Sequence, residues 1–219
     1  MAWTRAVTRR SRAGVGLAAL VAGSLLVAAC AGSGYHYVKS SDDHTYFKVP
    51  EGWKLFDEET IVHGLKKLSK RQQQATIDQS WQVGFDASSR PSLKHIGSAR
   101  SSSPDGLAVV SPLSPDEQDS MSLQTLRNEY VNIDAAVQAN AAVIQTYEPV
   151  TFDGGFHGIH LVATIEDSKG NSSTIDQTSV VDQDTTKLYS LIVTCTTSCY
   201  DRYKDKIDNV VSSWTVRDH

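Results

Sequence analysis

The chain has 219 residues, 40% of them hydrophobic, with 21 Lys and Arg against 25 Asp and Glu. Its first 29 residues carry four arginines and no acid, so the following 190 hold 17 basic against 25 acidic residues, a formal net charge of −8. That length suits one domain, and the acidic balance excludes nucleic acid as a partner, because such binding rests on neutralising phosphates.

Arg5, Arg9, Arg10 and Arg12 open the chain, and the 17 residues from Ala13 to Ala29 carry no charge. A basic segment followed by an apolar one has the form of an export signal. A membrane span needs about 20 residues, less rich in glycine and alanine than these. The run ends in Val27-Ala28-Ala29-Cys30, which resembles the bacterial lipobox. That resemblance implies a diacylglyceryl group on Cys30 and cleavage before it; an ordinary signal peptide cut after Ala29 is the other reading. Thr8-Arg9-Arg10 also resembles the start of a twin-arginine signal, although Arg12 stands where that pattern has a large apolar residue. Either route ends outside the cytoplasm. The expected organisation is a lipoprotein signal over residues 1–29, a lipidated cysteine and flexible tether over 30–44, and a single domain over 45–219. Two acyl chains on Cys30 would hold the protein stably to the extracytoplasmic face of the cell membrane.

In the mature part, Tyr46-Phe47-Lys48-Val49 reads as a strand and Pro50-Glu51-Gly52 as a turn, with Trp53 to Phe56 extended again. Ile61, Leu65 and Leu68 fall at helical spacing. Among them Lys66, Lys67, Lys70 and Arg71 make a basic stretch, either a solvated face or a contact for anionic headgroups or wall polymers. Trp81 to Phe85 alternates like a strand, and residues 86–106, rich in Ser, Pro, Gly and Asp, read as a loop. Ser114-Pro115-Asp116-Glu117 has a capping residue, a proline at the first helical position and the acid of a capping box. Leu123, Leu126, Tyr130, Ile133 and Val137 then predict one helical stripe up to Asn140.

From Val143 the period becomes two. Gly154-Gly155 is the centre of a hairpin, and Ile159, Leu161, Ala163 and Ile165 share a face, with His160, Thr164 and Glu166 opposite. Lys169-Gly170-Asn171 forms the next turn, and Thr174–Val181 pairs with Leu188–Cys195 around Asp182-Gln183-Asp184. Tyr200, Tyr203, Ile207, Val210, Val211 and Trp214 lie at helical spacings, an amphipathic helix that packs on the sheet. With Cys30 lipidated, Cys195 and Cys199 remain as a pair. In an oxidising compartment a structural disulfide is the expected state, with free thiols as the alternative.

The segments Phe47 to Trp53, Tyr189 to Cys195 and Ile207 to Trp214 together resemble the PsbP-like fold. Joined to a lipobox, the whole is similar to the LpqN-type lipoproteins of actinobacteria, over roughly residues 45–217. The resemblance implies an α+β fold, an antiparallel twisted sheet flanked by helices in an α/β/α sandwich. It carries no functional residue over.

Chemistry-bearing motifs are scarce. His157 and His160 fall on opposite faces of a strand and read as two surface or rim histidines. Asp182 and Asp184 lack the further oxygens of a calcium loop and read as a solvated turn. The chain has no G-x-S-x-G elbow, phosphate-binding lysine loop, dinucleotide fingerprint or H-E-x-x-H helix, and no cofactor is implied. Trp53, Trp81, Phe85 and Tyr130 belong to a core or line a cleft. Two classes of function follow. One is a non-catalytic envelope module that binds an unidentified protein or ligand; the other is an envelope hydrolase with a dispersed site.

Overall fold

The computed structural model describes residues 34–64 and 68–217. Strand β1 (Tyr35–Ser40) pairs antiparallel with β2 (Thr45–Pro50) along their full length. The expected tether over residues 30–44 is thereby shortened. Val38 in β1 and Phe47 and Val49 in β2 are buried, so the pair gains apolar burial that a free tether would forgo.

After the Pro50 turn come β3 (Lys54–Phe56) and two helices, α1 (Glu58–Gly64) and α2 (Lys70–Gln79). The single helix expected through Ile61 and Leu68 is corrected to these two. Ser69 accepts from the Gln72 N–H while Gln72 reaches back to the Ser69 N–H, and this capping box starts a new helix. Leu65, Lys66 and Lys67 lie outside the described residues.

Strands β4 (Trp81–Asp86) and β5 (Asp105–Pro112) flank the expected loop. The stripe expected up to Asn140 divides into α3 (Pro115–Ser120), α4 (Leu123–Arg127) and α5 (Ile133–Gln138). Ser114 makes the expected capping box with Glu117, but Ser122 and Asn132 each cap a further helix with their own side chains. Such side chains compete with helix continuation. Only Leu126 and Ile133 of the stripe are fully buried, whereas Leu123 and Val137 face out.

Four long strands follow in meander, β6 (Ala142–Thr151), β7 (His157–Glu166), β8 (Ser172–Val181) and β9 (Lys187–Thr196). Helix α6 (Thr197–Ser212) and the short β10 (Thr215–Val216) close the described chain.

The strands form two antiparallel sheets, ordered β1-β2-β10 and β3-β4-β5-β9-β8-β7-β6. One face of the larger sheet meets α6 and the small sheet through a core that includes Phe47, Trp53, Phe85, Leu191, Ile207 and Trp214. Trp53 stacks on Phe85 with ring centroids 5.7 Å apart, so both belong to the core. The other face is covered by α4, α5 and their flanks through Leu126, Ile133, Ile159, Leu161 and Ile192. Covering both faces explains why nearly all of β8 and β9 is buried instead of every second residue. The result is an α+β fold with the main sheet between two layers. Among the described residues no helix is long and apolar enough to cross a membrane.

Candidate functional site

Strand β8 is buried yet polar: Thr174, Asp176, Gln177, Thr178 and Ser179 are all at least 95% inaccessible. The even-numbered members face α6. There Asp176 Oδ2 accepts the Tyr200 hydroxyl at 2.7 Å, and Asp176 Oδ1 lies 2.9 Å from His160 Nε2. The second ring nitrogen of His160 faces Glu148 Oε1 on β6 at 3.3 Å. Antiparallel registration sets this up, because Glu148 sits opposite His160 and His160 opposite Thr178, two residues from Asp176. His160 is a half-buried histidine at the rim of a cleft, and His157 is exposed at the surface, its ring 3.0 Å from the Gly155 carbonyl.

The electrostatics follow from these contacts. The hydrogen bond to Asp176 raises the His160 pKa, outweighing the opposing effect of burial, and Glu148 adds to the rise. Burial, then the charge of Asp176, pushes the Tyr200 phenol well above its ordinary range. Carboxylates at both nitrogens favour the doubly protonated ring, in which each nitrogen donates. In that form the ring has no lone pair to take a proton from a nucleophile.

Above the cluster is a cleft of about 350 Å³. Val150, Phe152, Val211 and Trp214 supply its apolar walls, and His160, Asp176, Thr178 and Asp208 its polar part. Phe152 meets Trp214 edge-on, centroids 5.6 Å apart, and the Trp214 indole N–H donates to Thr45 Oγ1 at 2.9 Å, fixing that wall. The arrangement can receive an apolar group and present it with a charged, hydrogen-bonding floor.

A second polar cluster lies on the opposite face. Asp86 and Asp105 are cross-strand partners and fully buried. Asp86 accepts the N–H groups of Ser88 and Ser92 and faces His95 Nδ1 at 2.7 Å, while Asp105 accepts the Gly97 N–H at 2.8 Å. The pair pins the loop between β4 and β5. Burial works to raise the Asp86 carboxyl, but those donors hold it below its ordinary value. Asp105 has fewer donors, and burial, reinforced by Asp86, pushes it up to about 8. Ser88 Oγ lies 3.4 Å from His95 Nδ1, the same nitrogen that Asp86 occupies. A Ser-His-Asp relay needs serine and carboxylate on opposite ring nitrogens, so these three residues do not form one.

Of the residues singled out in the sequence, Cys30, Lys66 and Lys67 lie outside the described residues. Lys70 and Arg71 occupy the exposed first turn of α2 and make no ion pair among the described residues. That turn belongs to a different element from any wall of the α6 cleft. Cys195 and Cys199 are bonded across the β9–α6 junction, their Cα atoms 5.9 Å apart. Among the described residues no group of three or more His, Cys, Asp or Glu side chains is placed to hold a metal ion. Glu148, Asp176 and Tyr200 were missed in the sequence; a charged residue amid a strand-like run, Ser-Thr-Ile-Asp-Gln-Thr-Ser, was the available signal.

No protein-family model matches the chain, and no curated protein matches it in sequence. Among solved structures it is similar to the cyanobacterial PsbP (CyanoP) of Synechocystis sp. PCC 6803, at 15% identity, covering 94% of this chain and 98% of that one with a TM-score of 0.48. It is also similar to LpqN of Mycobacterium tuberculosis, a protein involved in cell envelope biogenesis, at 16% identity, 83% and 90% coverage and a TM-score of 0.44. A third likeness is to the Ran-binding protein Mog1p of Saccharomyces cerevisiae, at 10% identity, 83% and 95% coverage and a TM-score of 0.41. The PsbP-like and LpqN-type resemblance read from the residues is thus met among solved structures. These likenesses concern the fold alone.

Proposed function

We propose that this chain is a lipid-anchored, extracytoplasmic binding module of the cell envelope, without catalysis, and that its ligand site is the cleft beside α6. The lipobox-like Val27-Ala28-Ala29-Cys30 supports the anchor. One observation carries the binding role: an apolar cleft of about 350 Å³ stands over an ionic cluster in which both nitrogens of His160 face carboxylates. Small-molecule sites have this composition, largely apolar with a few placed polar groups. The ligand class is hydrophobic or amphiphilic.

Native mass spectrometry of the full chain purified from its own kind of host tests the binding role. A reproducible added mass that disappears in Val211→Trp, which fills the cleft, is the expected result; the same added mass in both proteins would place the ligand elsewhere. For the anchor, Cys30→Ser should move the protein out of the membrane fraction, and unchanged retention would sink the lipid attachment. The Asp86–His95 pair is the one observation that keeps a hydrolase in view. Turnover of an ester, peptide or glycoside substrate that is lost in His95→Gln would replace the non-catalytic reading.

A further inference from the structure

Strand alternation gives the small sheet two unlike faces. Val38, Phe47, Val49 and Val216 point inward, buried in the core that α6 shares. The outward face carries Tyr35, Tyr37 and Lys39 from β1 with Tyr46 and Lys48 from β2. Cross-strand partners share a face, and Tyr37 stands opposite Lys48 as Lys39 stands opposite Tyr46. Arg217, one residue past the buried Val216, is exposed and extends this face beside β10. Tyr37 stacks on Tyr46 with ring centroids 6.0 Å apart, and Lys48 Nζ lies 5.7 Å from the Tyr35 centroid.

The charge of this face runs against that of the chain. Its outward positions carry Lys39, Lys48 and Arg217 and no acid, although residues 30–219 hold 25 acidic against 17 basic residues. None of these three cations makes an ion pair among the described residues. The acids nearest in sequence, Asp42, Asp43 and Glu51, stand in the turns at its ends, and Asp43 is already matched by Lys187 Nζ at 2.8 Å. Lys39, Tyr46 and Arg217 line a hollow of about 540 Å³. Tyr37 is 57% exposed. Tyrosine suits a membrane interface, where its ring meets the apolar boundary and its hydroxyl stays in water.

We propose that this face lies on the headgroups of an anionic membrane, with Lys39, Lys48 and Arg217 at lipid phosphates and Tyr37 and Tyr46 at the acyl boundary. The geometry rests on the lipid anchor proposed above for Cys30; the chemistry of the face does not. Cys30 stands four residues before Gly34, which leads directly into β1. Four residues reach at most about 14 Å, against a width of about 40 Å for a domain of this length. A lipid on Cys30 would therefore keep the start of β1 near the bilayer, and α4, beyond the main sheet, away from it. Each cation at an anionic surface strengthens binding about fivefold. Three of them orient a tethered domain but do not hold a free one, and the anchor supplies the local concentration that makes so weak a contact count.

The test uses the protein as purified from its own kind of host, its mass read first for the diacylglyceryl group. A fluorophore is placed at Tyr37→Cys or, for comparison, at Leu123→Cys, which is exposed on α4. Cys195 and Cys199 are bonded to each other and stay unlabelled. Vesicles are phosphatidylcholine alone or with about 30% phosphatidylglycerol, each carrying a nitroxide quencher on the headgroups. Quenching at position 37 well above that at 123, and much stronger with the anionic lipid, is the expected result. Lys39→Gln with Lys48→Gln should weaken the contact about thirtyfold and bring the two positions level, at an unchanged unfolding midpoint. Equal quenching at both positions, or quenching at 37 indifferent to phosphatidylglycerol and to the double variant, would overturn the proposal. A loss produced instead by Lys70→Gln with Arg71→Gln would move the contact to α2. A mass without diacylglyceryl refutes the anchor separately. Cosedimentation of that protein with the anionic vesicles, weakened in the Lys39 and Lys48 double variant, then supports the face by itself, and no cosedimentation sinks it.

Discussion

His160 Nε2 stands 2.9 Å from Oδ1 of Asp176, a carboxylate whose side chain is 3% exposed, and the contact ties β7 to β8 beneath α6. Asp176 would be an isolated buried charge without it, since the Tyr200 hydroxyl alone supplies one neutral donor. The pKa of His160 is raised above the ordinary 6.5, chiefly by this hydrogen bond. The stability it contributes is therefore complete below about 6.5 and is lost as pH rises through the higher folded value. His160→Gln should cost about 2 kcal/mol at pH 6 and less at pH 9. Urea unfolding at the two pH values measures this, and an equal cost at both would show that the ring does not change its charge between them.

Asp105 gives the second pH dependence. Its folded value of about 8 lies far above its ordinary 3.8. The folded state binds more protons than the unfolded one between those values, so stability falls as pH rises from about 4 to 8. Asn is nearly isosteric, keeps an oxygen for the Gly97 N–H, and cannot ionise. Asp105→Asn should leave the unfolding midpoint little changed at pH 4 and raise it at pH 9. A midpoint lowered at both would mean that Oδ2 has a donor that the amide cannot replace.

Gly158 lies where β7 passes against β8, opposite Val180. A Cβ there would meet the Ser179 carbonyl and the Val180 Cα, backbone that cannot swing aside. Gly158→Ala should cost about 3 kcal/mol, at the upper end for overpacking, and loosen the sheet two residues from His160. Gly52, where an added Cβ meets nothing within 4 Å, is the matched control. Similar unfolding midpoints for the two variants would contradict the close approach.

These sites differ in how far the sequence reveals them. The hairpin at Gly154-Gly155, the strand pair around Asp182 and the amphipathic α6 were legible, because turn chemistry and periodicity are local. The division of the 114–140 stripe was not, although Ser122 and Asn132 stood in plain view. Their capping depends on the backbone turning at those positions, and a continuous helix satisfies the same apolar spacing. Residues 35–40 look like tether because their burial comes from β2, a partner strand whose register the sequence leaves open. The candidate site was legible only as a histidine on a polar strand face. Asp176 lies 16 residues from His160 and Tyr200 lies 24 from Asp176, so strand register and helix packing bring them together, and no motif spacing records it.

The Cys195–Cys199 bond spans four positions and joins the end of β9 to the first turn of α6. Both cysteines are fully buried in the core under α6. Thr196, at the helix start, makes no side-chain capping hydrogen bond, so the covalent link fixes the entry of the helix where a cap would otherwise do so. The closed loop is short, and its entropic contribution is about 2 kcal/mol. Cys195→Ala with Cys199→Ala should lower stability by about that amount and remove two buried sulfurs from the packing. Since Tyr200 follows Cys199 directly, the opening should reach Asp176, and amide exchange should accelerate first at residues 197–201 and next in β8. Peptide mapping without reductant checks the bond itself, and alkylation of both thiols in the native protein would refute it. If the bond is intact but exchange in β8 is unchanged in the double variant, α6 enters correctly without it, and the buried Tyr200–Asp176 contact is what sets the helix on the sheet.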